Sequence, residues 1–198
     1  MSLKSEISER AKASQKLIEE SLKENLEKIV LASQKIASAI KAGNKLLVFG
    51  NGGSASQAQH LSAEFVNRMV MERKPLASIA LTTDTSILTS ISNDRGFDEI
   101  FTVQLKALAK KGDIALGIST SGNSPNVIKA LKLAGEMSLY RIGLAGAPGS
   151  KIGEFSELCL WTDSKSTPRI QEAHLVIGHI ICELVDLILF GEKPDEKE

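Results

Sequence analysis

The sequence predicts a doubly wound α/β fold, a flavodoxin-like three-layer sandwich on a five-stranded parallel sheet with long helices at both ends. Three observations carry this. Short apolar bursts alternate with longer helical stretches, as in chains built from strand-helix-strand units. Each burst is nearly continuously apolar, the mark of strands covered on both faces. Glycine- or serine-rich loops follow the first and third bursts, where open parallel sheets hold their ligands.

Within one domain spanning residues 1–198, the first element is a helical extension over 1–41. Leu17, Ile18, Leu22, Leu26, Ile29, Val30, Ile36 and Ile40 recur at three- and four-residue steps without Pro or Gly, giving one long helix or two in series. That stripe is longer than one small sheet can cover, so part of it is expected to meet another subunit. Gly43 is placed to end the helix. Strands follow at 45–50 (KLLVFG), 76–81 (LASIAL), 113–119 (DIALGIS), 140–146 (YRIGLAG) and 157–162 (ELCLWT). Helices are expected at about 54–71, 84–92, 97–110, 124–137 and 168–190, and the tail 191–198 (GEKPDEKE) reads as disordered.

The loop after strand one, GNGGS, contains Asn51, Gly52, Gly53 and Ser54 and opens a helix. Its glycines allow close backbone approach, and a helix N-terminus favours an anion. It lacks G-x-G-x-x-G spacing and a Walker lysine, which argues against nucleotide binding. The loop after strand three, STSGNS, offers Ser119, Thr120, Ser121 and Ser124, four hydroxyls suited to phosphate oxygens. An N-cap at Ser124 followed by Pro125 explains only the end of that run. In the strand order 2-1-3-4-5 the two loops are neighbours, so one phosphate can touch both.

His60 and Glu64, four apart on a helix, share one face. His179 lies in a strongly apolar stretch of the last helix and needs a polar partner or a functional reason. Gln171, eight residues earlier, is turned from it by roughly 80° and converges with it only loosely. Spacing alone does not establish a metal site, since a His/Glu pair at this step is commonly solvated.

Charge narrows the rest. Lys+Arg and Asp+Glu both number 24, which gives no global argument for nucleic acid or an anionic membrane and makes any phosphate recognition local. Cys159 and Cys182 sit singly in apolar runs and read as buried thiols of a reducing compartment. The charged N-terminus has no signal-like apolar region, and no stretch reads as a run of about 18 apolar residues, so a cytoplasmic protein without a membrane partner is expected.

The segments GNGGSASQAQHLSAEF, ISNDRGF, GISTSGNSPNVIKAL and TPRIQEAHLVIGHIICELVD, in this order from about residue 10 to 189, resemble the bacterial phosphoheptose isomerases of the sugar isomerase (SIS) superfamily. The resemblance implies a homotetramer whose active sites lie between subunits and whose terminal helices build the core of the assembly. It implies a phosphate cradle of Ser119, Thr120, Ser121 and Ser124 with the Asn51, Gly52, Gly53 and Ser54 loop, and sugar contacts from Asn93 and Asp94. His60, Glu64, Gln171 and His179 match positions that bind one zinc per subunit, Gln171 also facing substrate. Some members carry His where this chain has Ala55 and Asp where it has Pro168; the contacts of those residues are not carried over.

The implied reaction converts sedoheptulose 7-phosphate to D-glycero-D-manno-heptose 7-phosphate through an enediol, making a heptose precursor for lipopolysaccharide or another surface glycan. Glu64 is the expected base and His179 the expected acid. His174 is expected to be structural. The competing readings are a non-catalytic SIS regulator, such as a DnaA initiator-associating protein, and another sugar-phosphate aldose-ketose isomerase.

Overall fold

The computed structural model describes residues 2–191; the remainder of the tail expected to be disordered lies outside the described residues. Five strands, β1 Leu46–Gly50, β2 Ser78–Ala80, β3 Ile114–Ser119, β4 Tyr140–Ala145 and β5 Leu158–Trp161, form one parallel sheet in the order β2-β1-β3-β4-β5. This is the predicted order. Gly50 of β1 pairs with Ile118 of β3, so both strands end together and their loops leave the sheet side by side.

Side chains alternate between two cores. Leu46, Val48, Ile114, Leu116 and Ile142 face helices α1 Leu3–Lys41, α2 Gly53–Val66 and α6 Thr167–Phe190. Leu47, Phe49 and Ala115 face α3 Thr85–Arg95, α4 Ile100–Leu108 and α5 Pro125–Glu136, with the Phe49 and Phe101 rings 5.2 Å apart. Both faces of every central strand are covered, which is why the strands read as unbroken apolar runs.

Helix α1 is a single helix, not two in series, because nothing in it breaks the backbone ladder. Its C-terminal half is buried through Ile29, Ala32 and Ile36. Asn25 accepts from the Trp161 N–H (3.0 Å) and donates to the Trp161 carbonyl (2.7 Å), closing the outer edge of β5 with a side chain. The first turns of α1 reach the start of α6, where Ser14 Oγ donates to Glu172 (2.6 Å) and Arg169 donates to Ser14 Oγ (2.6 Å) and to the Arg10 carbonyl (2.9 Å). Leu26 and Val30 on α1 and Leu187 and Ile188 on α6 remain exposed.

Three elements differ from expectation. Helix α2 ends at Val66 rather than near residue 71, because the Arg73 guanidinium folds back onto the carbonyls of its last turn: Nη2 donates to Glu64 (2.8 Å) and Nη1 to Phe65 (2.8 Å) and Asn67 (2.9 Å). β2 is an edge strand of three residues. An unforeseen 3-10 turn, Lys151–Phe155, precedes β5. Helix α6 also differs from the sequence reading in hydropathy. An 18-residue window within it reaches a mean hydropathy of 1.9, enough by composition to span a bilayer, yet Ile170, Ile177, Ile181 and Val185 are buried in the protein core. A core helix passes the same test.

Candidate active site

The β1 loop turns at Gly52, whose φ of +55° suits glycine, and Asn51 accepts from Ser54 N–H (2.9 Å). Ser54 is buried beneath the loop and its N–H is spent on the Asn51 carbonyl, so it supports the turn rather than facing a ligand. The Asn51 side chain is engaged: its Nδ2 donates to Asn126 Oδ1 (2.8 Å) and its Oδ1 accepts from Asn126 Nδ2 (2.9 Å). Asn51 therefore ties the two loops together. Asn126 escaped sequence reading; the available signal was an amide at the second helical position directly behind the serine run.

In the β3 loop the hydroxyls of Ser119 and Ser124 lie 2.9 Å apart and those of Ser119 and Ser121 3.4 Å apart. Ser124 occupies the N-cap position of α5, yet its side chain makes no capping bond. The bland reading of this serine as a cap therefore fails, and its hydroxyl turns to the cluster instead. Gly122 has φ +64°, and a Cβ there would collide with Ser150 Oγ, so the loop closes only around glycine. Thr120 anchors the loop by accepting from the Gly146 N–H (3.1 Å). Three hydroxyls and two helix N-termini thus gather at the carboxyl end of the sheet.

The α2 and α6 helices follow β1 and β5 and run in the same direction. A Cβ at Gly53 would overlap the Gln171 amide, Gln57 Nε2 donates to the Gln171 carbonyl (2.5 Å), and a Cβ at Gly178 would press on Leu61. One step further along, His60 Nε2 and His179 Nε2 stand 2.8 Å apart, and Glu64 Oε1 lies 3.5 Å from His60 Nε2. The three ligand-type atoms lie within 4.8 Å of one another. Around a tetrahedral ion with bonds of about 2.1 Å, donor atoms are about 3.4 Å apart, so the three fit a divalent ion and leave a fourth position open. Gln171 is not gathered with them. Its amide lies against Gly53, and eight residues of helix, about 12 Å of axis, separate it from His179.

Asn93 and Asp94 sit exposed near the end of α3, hydrogen-bonded to each other (2.8 Å), across the sheet from α6. Phe97, just beyond them, lines a cavity of about 130 Å³ with Asn51, Gly52, Ala55 and Thr82. Pro168 stands in the first turn of α6, where the missing N–H costs nothing. His174 is buried, and burial pushes it down to about 4 against the smaller opposing pull of the Ala145 carbonyl, so it is neutral. It faces the protein interior rather than the cluster. Burial pushes both Cys159 and Cys182 up to about 12, which removes a thiolate nucleophile from consideration.

Comparisons with known proteins identify the family. The SIS domain family matches residues 11–146. The chain is 50% identical over 188 residues to a phosphoheptose isomerase of Geotalea daltonii, covering 95% of this chain and 98% of the relative. It is 52% identical over 161 residues to phosphoheptose isomerase 2 of Campylobacter jejuni, 81% of this chain and 80% of the relative. The solved phosphoheptose isomerase of Neisseria gonorrhoeae superposes with a TM-score of 0.88 at 39% identity, covering 93% of this chain and 99% of that one. These relatives favour an isomerase over the regulator reading. Fold, site and relatives together show that the chain belongs to the SIS-domain family and, within it, to the phosphoheptose isomerases.

Proposed function

We propose that the protein converts sedoheptulose 7-phosphate to D-glycero-D-manno-heptose 7-phosphate through an enediol, as a cytoplasmic homotetramer holding one zinc per subunit. The observation that carries this reading is the convergence of His60, Glu64 and His179 on one point, on helices whose upstream ends lie at the hydroxyl-lined loops.

Ser119, Ser121 and Ser124 donate to the phosphate oxygens, Thr120 adds a fourth hydroxyl, and the Gly52–Gly53 backbone offers N–H groups from the other side. Seven residues of α2, about 10 Å of axis, separate Gly53 from His60, comparable to the reach of an extended seven-carbon sugar. With the phosphate held, register along the sugar is set and C1 falls at Glu64. Gln171, beside Gly53, and the Asn93–Asp94 pair contact sugar hydroxyls between the two ends.

Glu64 removes a proton from C1 of the ketose, the electrons move toward the C2 carbonyl, and the same carboxyl group returns a proton to C2 to give the aldose. His179 exchanges a proton with the substrate oxygens, donating to O2 as the enediol forms and accepting from O1 as it collapses. His60, Glu64 and His179 would hold the zinc, whose contribution is to polarise the oxygens on C1 and C2. A carboxylate has two oxygens and an imidazole two nitrogens, so each residue can bind an ion and still carry a proton.

The His60 side chain is 46% exposed, too open for water-free proton transfer in one subunit. The uncovered apolar residues Leu26, Val30, Leu187 and Ile188 support an assembly in which a neighbouring copy covers this end of the site.

The test is incubation of chelator-stripped protein with sedoheptulose 7-phosphate, with and without added Zn²⁺, followed by NMR. Protein-dependent aldoheptose phosphate that rises on zinc return is the expected result. No product in either condition, despite sugar-phosphate binding, overturns the proposal.

A further inference from the structure

The Arg73–Asp186 pair is the least exposed ion pair in this part of the molecule, with side chains 2% and 6% exposed, and the mechanism above does not use it. Arg73 Nε donates to Asp186 Oδ1 on α6 (2.9 Å), while its two terminal nitrogens donate to the carbonyls of Glu64, Phe65 and Asn67 at the end of α2. One guanidinium therefore binds both helices of the His60–Glu64–His179 cluster. It grips α2 through the carbonyl of Glu64 itself and α6 seven residues, about two turns, beyond His179.

Upstream of the cluster the two helices meet where Leu61 packs closely on Gly178 and Gln57 donates to the Gln171 carbonyl (2.5 Å); beyond the cluster, Arg73 ties the end of α2 to α6. A slide of one ångström would misplace His179 relative to His60 and Glu64. Arginine suits the task because its planar fork makes several fixed bonds at once, whereas a lysine ammonium cannot meet a carboxylate and three carbonyls in a set geometry.

We infer that Arg73 is a positioning residue: with Asp186 it locks α2 against α6 so that His60, Glu64 and His179 keep the spacing an ion needs. This rests on the metal reading above. It predicts a selective defect at the cluster, since the phosphate loops lie at the opposite end of α2.

The experiment measures Zn²⁺ affinity of the chelator-stripped full chain by calorimetry, beside kcat, KM and thermal unfolding, for wild type, Arg73→Lys, Asp186→Asn and Lys45→Met. The last breaks a comparable pair at the amino end of β1 and β3, where Lys45 Nζ lies 2.6 Å from Asp113, and serves as the control for stability alone. Arg73→Lys and Asp186→Asn should weaken Zn²⁺ binding 10- to 100-fold and lower kcat with KM little changed, while Lys45→Met lowers the unfolding temperature and leaves Zn²⁺ affinity alone. Wild-type Zn²⁺ affinity in folded Arg73→Lys and Asp186→Asn overturns the inference. Should wild type bind no Zn²⁺, the metal reading fails first, and an unchanged kcat in both variants then overturns the clamp. If one variant does not fold, the other decides.

Discussion

His60 Nε2 and His179 Nε2 face each other at 2.8 Å from two helices 119 residues apart in sequence, with Glu64 completing the group. Two imidazole nitrogens this close share a proton or an ion. Replacing His60 by Ala should weaken Zn²⁺ binding by at least 100-fold while leaving the phosphate loops intact, so that calorimetry reports lost zinc and retained sugar-phosphate binding.

The hydroxyl cluster makes a different prediction. In the proposed function Ser119 and Ser124 each donate a bond to a charged phosphate, worth about 1.5–3 kcal/mol, so Ser119→Ala or Ser124→Ala should raise the substrate dissociation constant about 10- to 100-fold. Zn²⁺ affinity should stay at the wild-type level in both, because the cluster lies at the other end of α2. Parallel titrations with substrate and with Zn²⁺ check the separation.

Buried His174 links stability to pH. Its folded value is about 4, below the ordinary histidine value of 6.5, because burial disfavours the imidazolium and outweighs the opposing Ala145 carbonyl. The unfolded chain therefore binds the extra proton first, and stability present above pH 6.5 is lost as pH falls from 6.5 toward 4, on the order of 3 kcal/mol. Urea unfolding across that window should show this loss in wild type and a shallower slope in His174→Asn.

Much of this was legible in the sequence, and the reasons are physical. Continuous apolar strands and short glycine-rich loops report local preference and burial, so the sheet and its order were readable. His60 and Glu64 share a helix face by spacing alone. The meeting of His60 with His179 was not readable, because it depends on how far α2 and α6 slide, a property of packing at Leu61 and Gly178. The same limit applies to Asn51, whose amide is spent on Asn126, and to Arg73, which lies beyond the helix expected over about 54–71 and folds back onto its last turn. Gln171 shows the same dependence on packing: its amide lies against Gly53, toward the glycine loop, a placement no local pattern signals.

The central claim is that Glu64 moves the carbon-bound proton. The most direct measurement is the turnover of sedoheptulose 7-phosphate by Glu64→Gln, with substrate and Zn²⁺ affinities recorded on the same preparation. Loss of a general base predicts kcat lower by about 10²–10⁴-fold, persisting at saturating Zn²⁺, with substrate affinity within a few-fold of wild type. A variant that turns over within ten-fold of wild type would contradict the account.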